Sequence, residues 1–119
     1  MSGRPLLAWS SDHHAFPLPA GHPFPLAKYT RVRELLLEER VLEPGWITRS
    51  DAAPEAWLLA AHSSEYVERT LAGTWTAAEV RKLGLPWSNA LVTRALAALR
   101  GTVEAARAAL AHGIAGNLA

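Results

Sequence analysis

The residues with the clearest capacity for chemistry lie in one early stretch of the chain. Asp12, His13, His14 and His22 place one carboxylate and three imidazoles within eleven residues. Zinc binds about four nitrogen, sulfur or carboxylate ligands in a tetrahedron, so these residue types could hold it. Their spacing matches no standard ligand pattern, and four prolines lie nearby. A polar surface loop is the alternative interpretation, and the spacing favours it.

Other chemical motifs are absent from the sequence. It contains no glycine-rich phosphate loop, no HExxH and no nucleophile elbow. It has no cysteine, which excludes disulfides and thiolate metal sites. His62 precedes a predicted helix cap and His112 ends a predicted helix, so both have a structural explanation. Residue types and spacing alone identify no reaction.

Composition excludes several classes of partner. The net charge is +1, and Lys and Arg alternate with Glu along predicted helices, so we expect no nucleic-acid binding. A single Arg before a short apolar run is too little for a signal peptide, and no stretch approaches membrane-spanning length. We therefore expect no membrane partner and a cytoplasmic location.

A long helix and the strand after it, residues 88–119, organise the predicted fold. Ser88 can cap the helix and Gly113 can end it. Apolar residues, most of them bulky, recur every three or four positions on one face: Val92, Leu96, Leu99, Val103, Ala106 and Leu110. The opposite face carries only small residues: Ala98, Gly101, Ala105 and Ala108. Such a helix can pack on two sides, for instance against a sheet and another helix.

The preceding residues predict an α/β arrangement. Residues 6–9 and 46–48 read as short strands on either side of a helix at 27–40, which favours a parallel crossover. Residues 10–25 form a long proline-rich loop, and long loops are often functional. Short helices are then predicted to begin after three capping residues: Asp51, Ser63 and Thr76.

Three stretches resemble the N-terminal part of the histone deacetylase superfamily, particularly its compact bacterial members. They are residues 21–29 (GHPFPLAKY), residues 61–68 (AHSSEYVE), and residues 84–119, from GLPWS to HGIAGNLA. Their order and spacing make the match specific, and it covers nearly the whole chain. In that family, a segment like Asn-Leu-Ala leads directly into a Gly-Gly-x-His-His-Ala motif. The chain ends one residue before that motif would begin.

The resemblance implies a fold and a reaction. Residues 1–119 would be the N-terminal portion of a three-layer, arginase-like domain, a parallel sheet with helices on both sides. In the family, a zinc ion held by two aspartates and a histidine polarises the acetyl carbonyl of an acetylated lysine or small amine and activates water. Those ligands and the proton-transfer residues lie beyond Ala119 in the family pattern. We therefore expect this segment alone to bind no zinc and to be inactive.

The first loop, residues 14–28, is similar to the family's active-site rim. It would place His14, His22 and Phe24 beside the substrate channel. Lys28 falls where many relatives carry an arginine that lines an inner cavity near the acetate product. The cation of Lys28 could hold acetate there, though without a guanidinium fork. A solvated helix residue is the alternative interpretation of Lys28.

Residues 83–88 are similar to the second rim loop. Gly84 falls near the position of an aspartate that clamps the substrate backbone in eukaryotic protein deacetylases. A glycine offers no side chain for that contact, which favours a small acetylated amine as substrate. A helix C-cap is the alternative interpretation of Gly84. Trp87 could form a wall of the substrate channel or belong to the core.

A second hypothesis belongs to another class of protein. The chain could be a small, mainly helical module that binds a partner, or another copy of itself, through apolar helix faces. Such a module would have a closed core, whereas a segment of a larger domain would expose a large apolar patch.

Overall fold

The computed structural model describes residues 4–119. Within that range the chain forms a three-stranded sheet and five α-helices. The elements follow one another as β1 (Leu7–Ser10), α1 (Lys28–Glu38), a 3₁₀ turn (Pro44–Trp46), β2 (Ile47–Arg49), α2 (Glu55–Leu59), α3 (Ser64–Ala72), α4 (Ala77–Leu83), α5 (Asn89–His112) and β3 (Ala115–Asn117).

The sheet is parallel throughout, with the order β2-β1-β3. Trp9 in the central strand is in register with Thr48 on one side and Asn117 on the other. The ladder extends past the strands, since the Ser50 N–H donates to the Ser10 carbonyl (2.7 Å) and the Leu118 N–H to the Trp9 carbonyl (2.8 Å). The predicted parallel crossover through α1 is confirmed.

Helix α5 packs along β1 and β3. It begins as predicted, with the Ser88 hydroxyl accepting from the Leu91 N–H at 3.0 Å. Its buried residues are Arg94, Ala97, Gly101 and Ala105, on or beside the predicted small face. A Cβ at Gly101 would lie 2.7 Å from the Asn117 side chain, so the helix approaches β3 closely because this position has no side chain. Leu110, from the predicted bulky face, is 90% exposed.

Local caps determine where the short helices begin and end. Ser63 caps α3, and Thr76 and Glu79 form the predicted capping box of α4. The prediction for α2 was wrong at its start, since the helix begins at Glu55, after Pro54, and Asp51 does not cap it. Pro54 has extended backbone dihedrals and stands outside the helix.

The described residues form a thin plate. Its principal extents are 54 × 36 × 17 Å and its radius of gyration is 16.2 Å, whereas a compact domain of this length has about 13.5 Å. The accessible surface of 7620 Å² exceeds the roughly 6300 Å² expected for a compact monomer of this mass. The chain therefore buries less of its surface than a compact monomer of the same mass.

The α/β class is confirmed as a small parallel sheet with helices. In residues 4–119, no helix is both long enough and apolar enough to cross a membrane.

Candidate functional site

The carboxyl ends of the three strands lie at one edge of the sheet because the strands are parallel. Residues 11–27 follow β1, residues 50–54 follow β2, and residues 118–119 follow β3. Open α/β sheets bind ligands at this edge. The predicted site residues of the first loop therefore belong to the part of the fold where a site is expected.

Asp12 anchors the loop after β1, residues 11–27, to helix α1. Its carboxylate accepts hydrogen bonds from the Arg33 guanidinium, the closest 3.0 Å long, and from the Thr30 hydroxyl at 2.8 Å. Burial raises the pKa of Asp12, but the hydrogen bonds from Arg33 and Thr30 outweigh burial and leave the pKa below its ordinary value. Asp12 is therefore occupied by protein partners, so the hypothetical zinc set that includes it does not form.

His13 and His14 come together with Asp51 instead. One ligand atom from each of the three lies within 4.8 Å of the others, and the two rings are 4.1 Å apart at their centroids. His13 and His14 follow β1, whereas Asp51 follows β2. Burial lowers the pKa of His13, as do the nearby His14 and Arg49, which favours the neutral imidazole. This cluster joins two loops at the carboxyl edge.

His22 joins the two predicted rim loops. The Phe24 N–H donates to His22 Nδ1 at 3.1 Å, which leaves Nε2 to carry the proton. Nε2 then donates to the Gly84 carbonyl at 3.0 Å. Gly84 is also the predicted C-cap of α4, with a φ of +81° that favours glycine. The two loops, which are 62 residues apart in sequence, therefore meet through a side chain and a backbone carbonyl.

Phe24 and Lys28 lie side by side on this surface. The Phe24 ring is 6.0 Å from Phe16 and 6.4 Å from Tyr29, measured between centroids. The Lys28 ammonium lies 5.0 Å from the centre of the Tyr29 ring and 5.7 Å from that of Phe24. Lys28 is exposed. Its cation therefore rests on aromatic rings, where an attraction of about 0.5–1 kcal/mol is typical at exposed sites.

Arg94 is a residue that the sequence analysis missed. It is 6% exposed, and it donates to the His14 carbonyl (3.2 Å) and the Ala119 carbonyl (3.1 Å). Its guanidinium lies 4.6 Å from the centre of the Tyr29 ring, and burial lowers its pKa. Arg94 thus ties the first loop to the second residue after β3. Arg94 lies three residues before Ala97 and seven before Gly101, on the same face of the helix as these small residues. That position was the signal in the sequence that Arg94 is buried.

A cavity of about 170 Å³ lies between these elements. Its lining includes Phe16, Phe24, Tyr29, Leu85, Arg94 and Ala119. It thus brings together the first loop, the second predicted rim loop and the end of β3, with an aromatic wall and one buried cation.

Trp87 lies in a different environment. Its indole N–H donates to the Thr70 carbonyl at 2.9 Å, and a Cβ at Gly73 would come within 2.6 Å of its ring. Trp87 therefore packs against the end of α3. A larger apolar cavity of about 320 Å³ lies nearby among α2–α5, with Leu58, Tyr66, Val67, Trp75, Leu91 and Leu96 in its lining.

The chain is similar to an uncharacterized protein of Picosynechococcus sp., with 40% identity over 103 residues. The alignment covers 87% of this chain and 34% of the relative, so the chain spans about a third of that protein's length. No family model matches the sequence.

Proposed function

We propose that this chain is the N-terminal segment of a zinc-dependent hydrolase of the histone deacetylase type, which removes acetyl groups from acetyl-lysine or small acetylated amines. The observation that carries the proposal is the hydrogen bond between His22 Nε2 and the Gly84 carbonyl. It joins two loops that were assigned to one channel rim on sequence resemblance alone. Both loops also line the cavity of about 170 Å³, together with Ala119.

Three further observations support the proposal. The strands are parallel, and the resembling loops follow β1 and precede α5 at the edge where α/β proteins bind ligands. The relative is about three times the matched length, which leaves room in such a protein for the catalytic motifs. The thin plate and the exposed Leu110 and Ile114 are also expected if further chain covers these surfaces.

The residues of this chain would shape and charge the rim. In the family, zinc polarises the acetyl carbonyl and activates water, and the resemblance assigns none of its ligands to residues 1–119. Arg94 would hold the end of β3 in place through the Ala119 carbonyl. Phe16 and Phe24 would exclude water from the channel wall, and Lys28 would attract an anionic product from its exposed position.

Gly84 favours a small substrate. Its carbonyl is occupied by His22, and as a glycine it has no side chain with which to bind a peptide backbone. A small acetylated amine needs no such clamp. We therefore propose small acetylated amines, rather than acetylated proteins, as the preferred substrates.

The first experiment is the intact mass of the endogenous protein in a native extract. We expect a mass several-fold above the 12.9 kDa of this chain, and that product should hydrolyse a small acetylated amine faster than an acetyl-lysine peptide when zinc is supplied. The purified 119-residue chain is the matched control and should be inactive. A native mass of 12.9 kDa, or a longer product with no deacetylase activity, would overturn the proposal.

The second hypothesis, a partner-binding helical module, requires a closed core, and the exposed apolar surface argues against it. Leu110 is 90% exposed and Ile114 is 61% exposed. A native mass of 12.9 kDa together with a stable monomer or dimer in sedimentation analysis would favour that function over the enzyme.

A further inference from the structure

We propose that His13, His14 and Asp51 bind a divalent transition-metal ion, with zinc as the best match. This differs from our expectation that the segment binds no zinc, and it does not depend on the deacetylase proposal. The three side chains come from the loops after two adjacent parallel strands, β1 and β2. Only the fold brings Asp51 to the histidine pair, which is 37 positions earlier in the chain.

The ligand types suit zinc. Two imidazole nitrogens and one carboxylate oxygen form a known three-ligand set, which leaves a fourth position for water or a further ligand. Ligand atoms at zinc-bond lengths of about 2.0–2.1 Å around a tetrahedral ion are about 3.4 Å apart. The three groups here lie within 4.8 Å of one another. Asp51 is exposed, so its side chain is free to rotate toward the two imidazoles.

Unpaired imidazole nitrogens provide an independent observation. Among the described residues, His13 Nδ1 and His14 Nε2 are buried side-chain atoms without a hydrogen-bond partner. A buried polar atom left without a partner destabilises the fold, and most such atoms in proteins are satisfied. A metal ion bound by these rings would satisfy one nitrogen of each. The cluster thus offers suitable ligands for an ion, and binding the ion would stabilise nitrogens that otherwise lack a partner.

A bound ion would fasten the first loop to the loop after β2. Asp12 and Arg94 already hold the first loop to α1 and α5. The ion would add a third attachment, directly across the carboxyl edge of the sheet. Arg49 is close enough to His13 to lower the pKa of that ring, and its positive charge opposes a cation. Removing that charge should therefore strengthen binding.

The test is calorimetric titration of the untagged 119-residue chain with zinc chloride. We expect one equivalent to bind saturably and to raise the melting temperature. Cobalt chloride should give the visible absorption of a low-coordinate cobalt complex with nitrogen and oxygen ligands. Iron(II) under anaerobic conditions tests the other metal that two histidines and a carboxylate commonly hold. Tighter binding of iron(II) than of zinc would reassign the metal and contradict the choice of zinc.

Substitutions locate the ligands. Asp51→Asn should weaken zinc binding at least tenfold. Because Asp51 is exposed, the substitution should not disturb the fold, and misfolding would not explain the loss. His13→Gln and His14→Gln should each abolish the cobalt absorption. Arg49→Gln should tighten binding several-fold, a change that damage to the fold would not produce. His112→Gln, at an exposed histidine on the last turn of α5, is the matched control and should bind zinc like the unaltered chain.

Two results would overturn the inference. One is the absence of saturable zinc or cobalt binding to the unaltered chain. The other is binding that Asp51→Asn, His13→Gln and His14→Gln leave unchanged, because the ion would then lie elsewhere.

Discussion

The sheet with helix α5 and the region of helices α2–α4 are stabilised in different ways. In the first, which we call the sheet region, Ala8, Ala97 and Ala105 are buried and the closest approach is at Gly101. In the second, the helical wing of residues 55–87, Val67 is the one buried residue within the three helices. The wing relies on capping side chains and surrounds an open apolar cavity instead.

This difference indicates which region tolerates change. Small residues in a close-packed contact leave no space for added atoms, so the sheet region is sensitive to increases in volume. Caps contribute about 1 kcal/mol each and act locally, so the wing should lose stability in small, separable steps. Substitutions in the two regions should therefore differ in their effect on stability.

Ala97→Leu should have the largest effect. Ala97 is 0% exposed, and its carbonyl accepts from the Ser50 hydroxyl at 2.6 Å, so a larger side chain must displace the contact between α5 and the loop after β2. We expect a loss of about 3 kcal/mol in the free energy of urea unfolding. Ala106→Leu, at an exposed position of the same helix, is the control and should change stability by less than about 0.5 kcal/mol. Equal effects would mean that α5 is not packed on this face.

Asp12→Asn should cost about 2 kcal/mol at pH 7, because Arg33 and Thr30 lose a charged acceptor. The native-state pKa of Asp12 is lowered, so its contribution is complete above the unfolded value near 3.8 and is lost as the pH falls through the lower native value. The difference between variant and unaltered chain should therefore shrink in urea unfolding below about pH 4.

The control for this experiment is Glu43→Gln, which removes an exposed carboxylate for which the structure gives no hydrogen bond or ion pair. It should leave stability nearly unchanged at every pH. A difference between Asp12→Asn and the unaltered chain that stays constant down to pH 2 would show that the ionised carboxylate is not the source of stability.

Thr76→Ala should have the smallest effect. The Thr76 hydroxyl accepts from the Glu79 N–H at 3.2 Å, and Glu79 accepts from the Thr76 N–H at 2.9 Å. Hydrogen bonds from the Thr76 backbone and from Arg69 lower the pKa of Glu79 to about 2. Removing the threonine cap should cost about 1 kcal/mol and reduce helical circular dichroism. Thr93→Ala, exposed within α5, should be neutral or slightly stabilising.

Features that depend on neighbouring residues were predictable from the sequence. Ser63, Ser88 and the pair of Thr76 and Glu79 cap helices as their spacing indicated, because a cap needs only residues three positions apart. The parallel crossover followed from alternating strand and helix patterns. The predicted cap at Asp51 was wrong because α2 begins later, at Glu55. Asp51 lies near His13 and His14, a relationship that no local pattern contains.

The candidate site was less predictable, because its residues are brought together from distant parts of the chain. His22 was assigned to a rim by resemblance, but its partner Gly84 is 62 positions away. Arg94 lies in line with the small residues Ala97 and Gly101, which hints at burial, but only the packed α5 shows that it donates to the His14 carbonyl. Contacts between distant segments are set by tertiary packing, which a single sequence does not specify directly.

The 17 Å thickness of the plate also determines how its backbone amides exchange hydrogen with water. No point can lie deeper than about 8–9 Å below a face, which is roughly one layer of side chains. Opening one helix or strand is then enough to admit solvent, so local opening governs exchange. Amides of residues 97–105, covered by the sheet, should exchange slowest, and those of α2 and α4 should exchange almost as fast as a loop.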